Sequence, residues 1–111
     1  PPLVLDSFLL RTLAVSGWAP ELRVCASCGA DGPHHAFDVR AGGLVCTACR
    51  RPGAIAVRQS TIEHMIFLLA GDWENVTDAE ETVQQEAGRL IEDTVTWHLE
   101  RSVRSLHYVE R

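Results

Sequence analysis

The stretch that decides the fold is CASCGADGPHHAFDVRAGGLVCTAC, residues 25–49, because it contains all four cysteines of the 111-residue chain. They form two Cys-x-x-Cys pairs, with seventeen residues between Cys28 and Cys46. Two intervening residues allow a tight turn to direct both thiolates of a pair toward one ion, and a spacer of about 15–20 residues allows a hairpin to bring the pairs together. The spacing predicts a metal site with four ligands, Cys25, Cys28, Cys46 and Cys49.

Zinc is the ion that this set of donors favours. Four thiolates close a tetrahedral Zn²⁺ site and leave no position for water, so a single bound zinc would be structural rather than catalytic. Three alternatives stay open: two disulfides, a dithiol redox pair, or an iron site with the same sulfur geometry. His34 and His35 lie between the pairs and could replace a lost ligand, but with four thiolates present we expect them to be loop residues.

The segment around the cysteines is rich in turn residues and poor in apolar bulk. Ala36–Arg40 and Leu44–Val45 predict two short strands around the turn Ala41-Gly42-Gly43, and hence a β-hairpin. Since the segment has few apolar side chains with which to build a core, we expect the bound metal to hold it together.

Helical patterns flank this segment on both sides. Residues 3–13 repeat apolar side chains at helical spacing and predict an amphipathic helix that buries Leu5, Phe8, Leu9 and Leu13. The sequence Ser60-Thr61-Ile62-Glu63 fits a capping box that starts a short helix ending near Gly71. A second capping box, Thr77-Asp78-Ala79-Glu80, predicts the start of a long helix with one apolar face: Val83, Ala87, Leu90, Ile91, Val95 and Leu99.

These patterns predict a mainly α, helical domain with an inserted zinc-ribbon-like module of four cysteines that contains a short β-hairpin. The expected division is a first helix over residues 1–18, the zinc-binding module over 19–53 and a helical part over 54–111, all within one domain. We expect the first and last helices to pack together through Phe8, Leu13, Leu90, Ile91 and Val95.

Charge is distributed unevenly along the chain. The formal net charge is −5, and residues 72–93 hold eight acids and one base. Residues 39–62, in contrast, hold four arginines and no acid. Phosphate contacts need positive charge, and arginine can bind phosphate through two parallel hydrogen bonds. We therefore treat these four residues, called the arginine set below, as candidate nucleic-acid contacts: Arg40, Arg50, Arg51 and Arg58.

Several function classes lack the sequence features that they require. There is no Ser-His-Asp grouping, paired carboxylate motif, glycine-rich phosphate loop or His-Glu-x-x-His motif, so we do not expect an enzyme. Uninterrupted apolar runs such as residues 65–70 fall far short of the roughly 20 residues of a membrane span. No signal-peptide pattern precedes the first helix, so nothing indicates export.

Ordered landmarks cover nearly the whole chain. They are FLLRTL at 8–13, Gly17 followed by PEL at 20–22, the two cysteine pairs with Gly29, GGLV at 42–45, WHLER at 97–101 and RSL at 104–106. In this order they resemble the C-terminal domain of the bacterial recombination mediator RecO.

The resemblance implies a cytoplasmic, nucleoid-associated protein of DNA repair and homologous recombination in the RecFOR pathway. Such proteins bind and anneal single-stranded DNA, work with RecR and help RecA to displace single-strand-binding protein. The family also has an N-terminal OB-fold, which is absent from this chain and which we expect to be the principal DNA-binding domain.

A different function class also fits the sequence, namely a zinc-ribbon module that binds a protein partner and no DNA. The acidic stretch over residues 72–93 would repel phosphate and could meet a basic partner. Trp18, Trp73 and Trp97 could stack on bases, although core packing is the better explanation for Trp97 within the long helix. For the arginine set, the alternative is a solvated surface.

Overall fold

The computed structural model describes residues 2–109, and side chains over residues 2–106. In this part of the chain there are four helices and an inserted three-stranded sheet, which confirms the predicted mainly α class with its cysteine module. The elements in chain order are α1 Pro2–Val15, β1 Ala36–Asp38, β2 Gly43–Val45, β3 Ile55–Ala56, α2 Gln59–Ala70, α3 Trp73–Thr77 and α4 Glu81–Val109.

The sheet is antiparallel, with the order β2-β1-β3. Phe37 at its centre pairs with Leu44 of β2 and with Ile55 of β3. The predicted hairpin is therefore confirmed, although β1 ends at Asp38 rather than at Arg40, and the third strand was not predicted. A strand of two residues is too short to carry an alternating pattern that sequence analysis could detect.

Chain segment 20–22 runs beside the hairpin. Glu21 donates its N–H to the Gly42 carbonyl oxygen (2.8 Å) and accepts the Leu44 N–H at its own carbonyl oxygen (2.9 Å). Gly43 lies between these bonds with φ +143°, and a Cβ atom there would collide with the Glu21 backbone. The close approach of the two backbones therefore requires glycine at position 43.

The buried face of α1 differs from the predicted one. Ser7, Leu10 and Leu13 are buried, whereas Leu5 and Phe8 are 55% and 63% exposed, so the prediction was wrong for these two. The helix is apolar around most of its circumference, and periodicity alone could not choose its inward stripe. Burial of Ser7 is possible because its hydroxyl donates to the Leu68 carbonyl oxygen of α2 (3.1 Å).

The first predicted capping box was wrong. Helix α2 begins one residue before Ser60, and its N-cap is Arg58, which has extended backbone angles and makes no side-chain capping bond. Ser60, the expected cap, therefore lies inside the helix and is exposed, and the next residue, Thr61, is buried and donates its hydroxyl to Glu86 of α4 (2.9 Å). The predicted end is confirmed, because Gly71 caps the helix in the left-handed conformation, φ +73°.

The second predicted capping box was also wrong. An unpredicted short helix, α3, precedes it, and the Asp72 side chain caps this helix by accepting the Asn75 N–H. Thr77 is the last residue of α3, and its hydroxyl donates back to the Trp73 carbonyl oxygen (2.9 Å). Because Thr77 uses its hydroxyl to bind the backbone at the end of α3, it does not cap α4. Helix α4 begins at Glu81.

The core lies where α1, α2 and α4 meet, and the hairpin contributes to it. Phe37 and Leu44 are almost fully buried within the same cluster as the helix residues. The predicted packing of the first helix on the last is confirmed, with Val95 partly buried at the edge, whereas Phe8 and Leu99 lie on the surface. The buried contacts of these two helices in this cluster include Leu10, Leu13, Ala87, Leu90 and Ile91.

No helix among the described residues combines the length and the apolar character that a membrane span requires.

Candidate metal centre and arginine surface

Two tight turns present the cysteines. In the first, Gly29 donates its N–H to the Cys25 carbonyl oxygen (2.8 Å) and adopts φ +78°. In the second, the Cys49 N–H donates to the Cys46 carbonyl oxygen (3.1 Å). The second turn directly follows β2, so that the hairpin carries it toward the first turn.

The four sulfur atoms form one cluster. Their Sγ atoms all lie within 4.8 Å of one another, and the distance from Cys28 Sγ to Cys46 Sγ is 3.8 Å. A tetrahedral ion with metal–sulfur bonds of about 2.3 Å would place its ligands roughly 3.8 Å apart. The four cysteines can therefore bind one metal ion, and among the described residues no histidine or carboxylate joins the cluster.

The surroundings of the cluster also fit a cation. The N–H of Cys46 donates to Cys25 Sγ (3.4 Å), and this bond, with further backbone N–H groups of Cys28 and Ser27, lowers the pKa of Cys25 to about 6. Contacts with the neighbouring thiols, Cys46 first, raise the pKa of Cys49 to about 12. Four sulfur atoms at this spacing cannot all be anionic unless a positive ion lies among them.

The cysteines differ in how deeply they are buried. Cys25 is buried in a small cluster with Ala36 and Val45, whereas Cys28 is exposed. Their neighbours His34 and His35 have other partners: His34 Nε2 lies 2.8 Å from the Ala30 carbonyl oxygen, and His35 Nε2 lies 3.2 Å from Gln59 Oε1.

The arginine set divides into two pairs with different surroundings. Arg50 and Arg51 are exposed and follow Cys49 directly, and neither makes a side-chain hydrogen bond or ion pair within residues 2–106. Arg40 instead binds Asp38 through Nε to Oδ1 (3.2 Å) and Nη2 to Oδ2 (3.3 Å). The second paired arginine, Arg58, donates from Nε to Glu86 Oε1 (2.9 Å).

Two carboxylates that bind arginines of this set were not predicted from the sequence. Asp38 lies just before the acid-free stretch, and its spacing of two residues from Arg40 was the only available signal. Glu86 lies 28 residues beyond Arg58, on another helix, so only the fold brings them together. Hydrogen bonds to the carboxylate lower the pKa of Glu86, and the bond from the Arg58 side chain contributes more than the bond from Thr61.

The three tryptophans lie in different environments. Trp18 stacks on His98 of α4, with ring centroids 4.8 Å apart and planes within 2° of each other. Trp97 is half-buried outside the main core, and the Arg101 guanidinium lies 5.4 Å from its ring centroid. Trp73 is exposed at the start of α3.

This architecture defines a class of protein domain: a helical bundle that shares its core with a hairpin module of two cysteine pairs. The particular family is given by comparison, because residues 1–107 match the family described as Recombination protein O C terminal. The chain belongs to this family, and the resemblance seen in the sequence is confirmed.

Individual relatives give the same result. The chain is 48% identical to the DNA repair protein RecO of Thermobifida fusca, over all of this chain and 46% of that protein. It is 47% identical to proteins of the same name from Streptomyces avermitilis and Streptomyces coelicolor, over all of this chain and 45% of each. The chain thus spans somewhat less than half the length of these relatives. No solved structure matches it.

Proposed function

We propose that this domain serves in DNA repair and homologous recombination, as part of a RecFOR-type mediator that binds and anneals single-stranded DNA and assists the loading of RecA. The observation that carries the proposal is the family match over residues 1–107. The role is that of a non-enzymatic, cytoplasmic, nucleoid-associated protein, with RecR and single-strand-binding protein as partners. The principal DNA-binding domain is the OB-fold outside this chain.

The metal in this proposal is one structural zinc ion held by Cys25, Cys28, Cys46 and Cys49. Its support is the single cluster of four sulfur donors at tetrahedral spacing. When bound, zinc supplies the positive charge that lets all four thiols ionise. The chain's own part is to fix the two turns, and so to order the hairpin and the loop that follows it.

The arginine set is the proposed supporting DNA surface, and within it Arg50 and Arg51 are the best-placed contacts. Both are exposed and directly follow the fourth ligand, Cys49. An ordered loop loses less conformational entropy on meeting a phosphate than a free loop does. Arg58 can also contribute, because its ion pair with Glu86 is half-exposed on both sides (49% and 44%) and a phosphate can compete with such a carboxylate.

The test is Arg50→Ala with Arg51→Ala in the zinc-loaded whole protein, followed by titration of single-stranded DNA at several salt concentrations. Loss of two phosphate contacts should reduce the log–log salt slope by about 1.4, that is, roughly 0.7 for each contact. The charge-preserving pair Arg50→Lys with Arg51→Lys should keep the slope.

Arg104→Ala, on α4, is the matched control for removal of an exposed arginine. It should leave the slope unchanged, and the zinc content of every variant should equal that of the parent protein. An Arg50–Arg51 double variant that anneals and binds DNA with the parent slope would contradict the proposed DNA surface.

The second candidate function is a protein-binding module without direct DNA contact. It is favoured by the pairing of Arg40 and Arg58 with carboxylates, which removes two of the four arginines from the free positive charge. The same double variant distinguishes the two functions. If association with RecR or single-strand-binding protein is lost while DNA binding is unchanged, the surface belongs to a protein partner.

A further inference from the structure

Arg40 connects two segments that are separate in the sequence. Besides its two bonds to Asp38, its Nη2 atom donates to the Pro52 carbonyl oxygen at 2.7 Å. The guanidinium therefore joins the turn between β1 and β2 to residues 50–54, which we call the knuckle loop. This loop carries Arg50 and Arg51, the two members of the arginine set that make no side-chain hydrogen bond or ion pair among the described residues.

The Arg40 side chain is held in place by a buried carboxylate. The Asp38 side chain is only 5% exposed, and it also accepts the Arg40 backbone N–H at 3.0 Å. Burial alone would raise the pKa of Asp38, but the hydrogen bonds and charge of Arg40 outweigh it, so that the pKa is lowered. If a DNA phosphate drew Arg40 away, a buried carboxylate would be left without its cation, which is costly.

The knuckle loop is shaped to receive this guanidinium. The Ala54 N–H donates to the Arg51 carbonyl oxygen (3.1 Å), which closes a turn over residues 51–54. Pro52 and Gly53 occupy its central positions, and Gly53 has φ +100°, as the third position of a type II turn requires. A Cβ atom on Gly53 would lie 3.1 Å from Arg40 Nη2, so the glycine also leaves the space that the guanidinium uses.

We propose that Arg40 is a positioning residue, which braces the knuckle loop so that Arg50 and Arg51 meet DNA phosphate in a fixed arrangement, and that Arg40 itself makes no phosphate contact. This inference rests on the proposed function and assigns separate roles within the arginine set. Arg58 differs from Arg40, because its partner Glu86 is half-exposed and can be released to water.

The decisive test is a double-mutant cycle on single-stranded DNA binding by the zinc-loaded whole protein. Arg40→Ala in the parent background should weaken binding about three- to tenfold, because the backbone that carries Arg50 and Arg51 must then be ordered when DNA binds. In the Arg50→Ala, Arg51→Ala background it should have no further effect, because the residues it positions are gone. If Arg40 itself bound phosphate, Arg40→Ala would weaken DNA binding in both backgrounds. It would also reduce the salt slope by about 0.7 in each.

Two further variants separate bracing from charge. Arg40→Lys keeps the positive charge, but a lysine ammonium cannot reproduce the forked contact with Asp38 together with the bond to Pro52. It should therefore bind DNA as weakly as Arg40→Ala does. Gly53→Ala keeps every charged group and should produce the same loss, because it strains the turn and crowds the guanidinium.

Hydrogen exchange at the Ala54 amide measures how firmly Arg40 holds the turn over residues 51–54, and it needs no DNA. Arg40→Ala and Arg40→Lys should both speed this exchange, and the Arg50–Arg51 variant should not. Unchanged Ala54 exchange in Arg40→Ala, or additive effects in the cycle, would overturn the inference and leave the proposed function standing. Parent-like DNA binding by the Arg50–Arg51 variant would instead overturn the proposed DNA surface, and with it the role given to Arg40 there.

Discussion

Burial determines how His64 titrates. The residue is 1% exposed on α2, and neither ring nitrogen has a hydrogen-bond partner within the described structure. Desolvation of the charged form lowers its pKa below the usual 6.5. In the unfolded chain the imidazole binds a proton near pH 6.5, whereas in the folded chain it does so only at lower pH.

We therefore expect His64 to make the protein less stable in mild acid. Its effect should be absent well above pH 6.5 and should grow as the pH falls from there to the folded pKa, at most by about 1.4 kcal/mol per pH unit. Urea unfolding of the zinc-loaded protein and of His64→Leu between pH 5.5 and 7.5 measures this. Acid loss of zinc affects both proteins and cancels in the comparison. Parallel stability curves for the two proteins would contradict the prediction.

Residue types in the site were predictable from sequence, but their partners were not. The spacing of the cysteine pairs was sufficient to group four sulfur donors that the fold places within 4.8 Å. The acid-free run around Arg40 and Arg58 suggested free positive charge, yet both arginines bind carboxylates from outside the run. Linear charge patterns give no information about acids that only the fold brings close.

Among the elements, the contact of α1 with α4 closes the helical core. Ile91 lies at this contact and is fully buried, whereas Leu99, two turns further along α4, is 61% exposed. Both positions belong to the apolar stripe of the sequence, but the second lies beyond the packed part of the helix. The stripe therefore continues past the core that it helps to build.

The two positions should respond differently to truncation. Ile91→Ala should lower the free energy of unfolding by about 2–5 kcal/mol, because it removes buried methyl groups and leaves a cavity. Leu99→Ala is the matched control and should change it by less than about 0.5 kcal/mol. Denaturant unfolding followed by circular dichroism gives both values. Equal losses at the two positions would contradict the observed burial.

The three longer helices and their order were predictable from sequence, whereas the short helix α3, the helix starts and the inward face of α1 were not. The long periodic stripe of α4 fixed its existence, and Gly71 correctly fixed the end of α2. The first capping box failed because α2 already begins at Gln59, which places Ser60 inside the helix, and the second failed because the Thr77 hydroxyl binds the backbone of α3. A four-residue motif cannot encode such competition from the rest of the fold.

At the scale of the whole molecule, the hairpin module and the helices are not independent. The module was expected to lack a core of its own, but Phe37 and Leu44 from its strands are almost fully buried in the helical core. Two forces thus hold the strands, apolar packing on one side and the four cysteines on the other. We propose that the metal, and not this packing alone, orders the hairpin and the knuckle loop.

Hydrogen exchange of the protein before and after zinc removal by a chelator tests this claim most directly. With one equivalent of zinc confirmed by elemental analysis, the strands and knuckle loop over residues 36–56 should be protected, and chelation should remove that protection. The segment of α4 over residues 83–94, which has buried side chains from Val83 to Thr94, should keep most of its protection from exchange. Strands that remain equally protected once the zinc is gone would contradict the claim and show that packing alone orders the module.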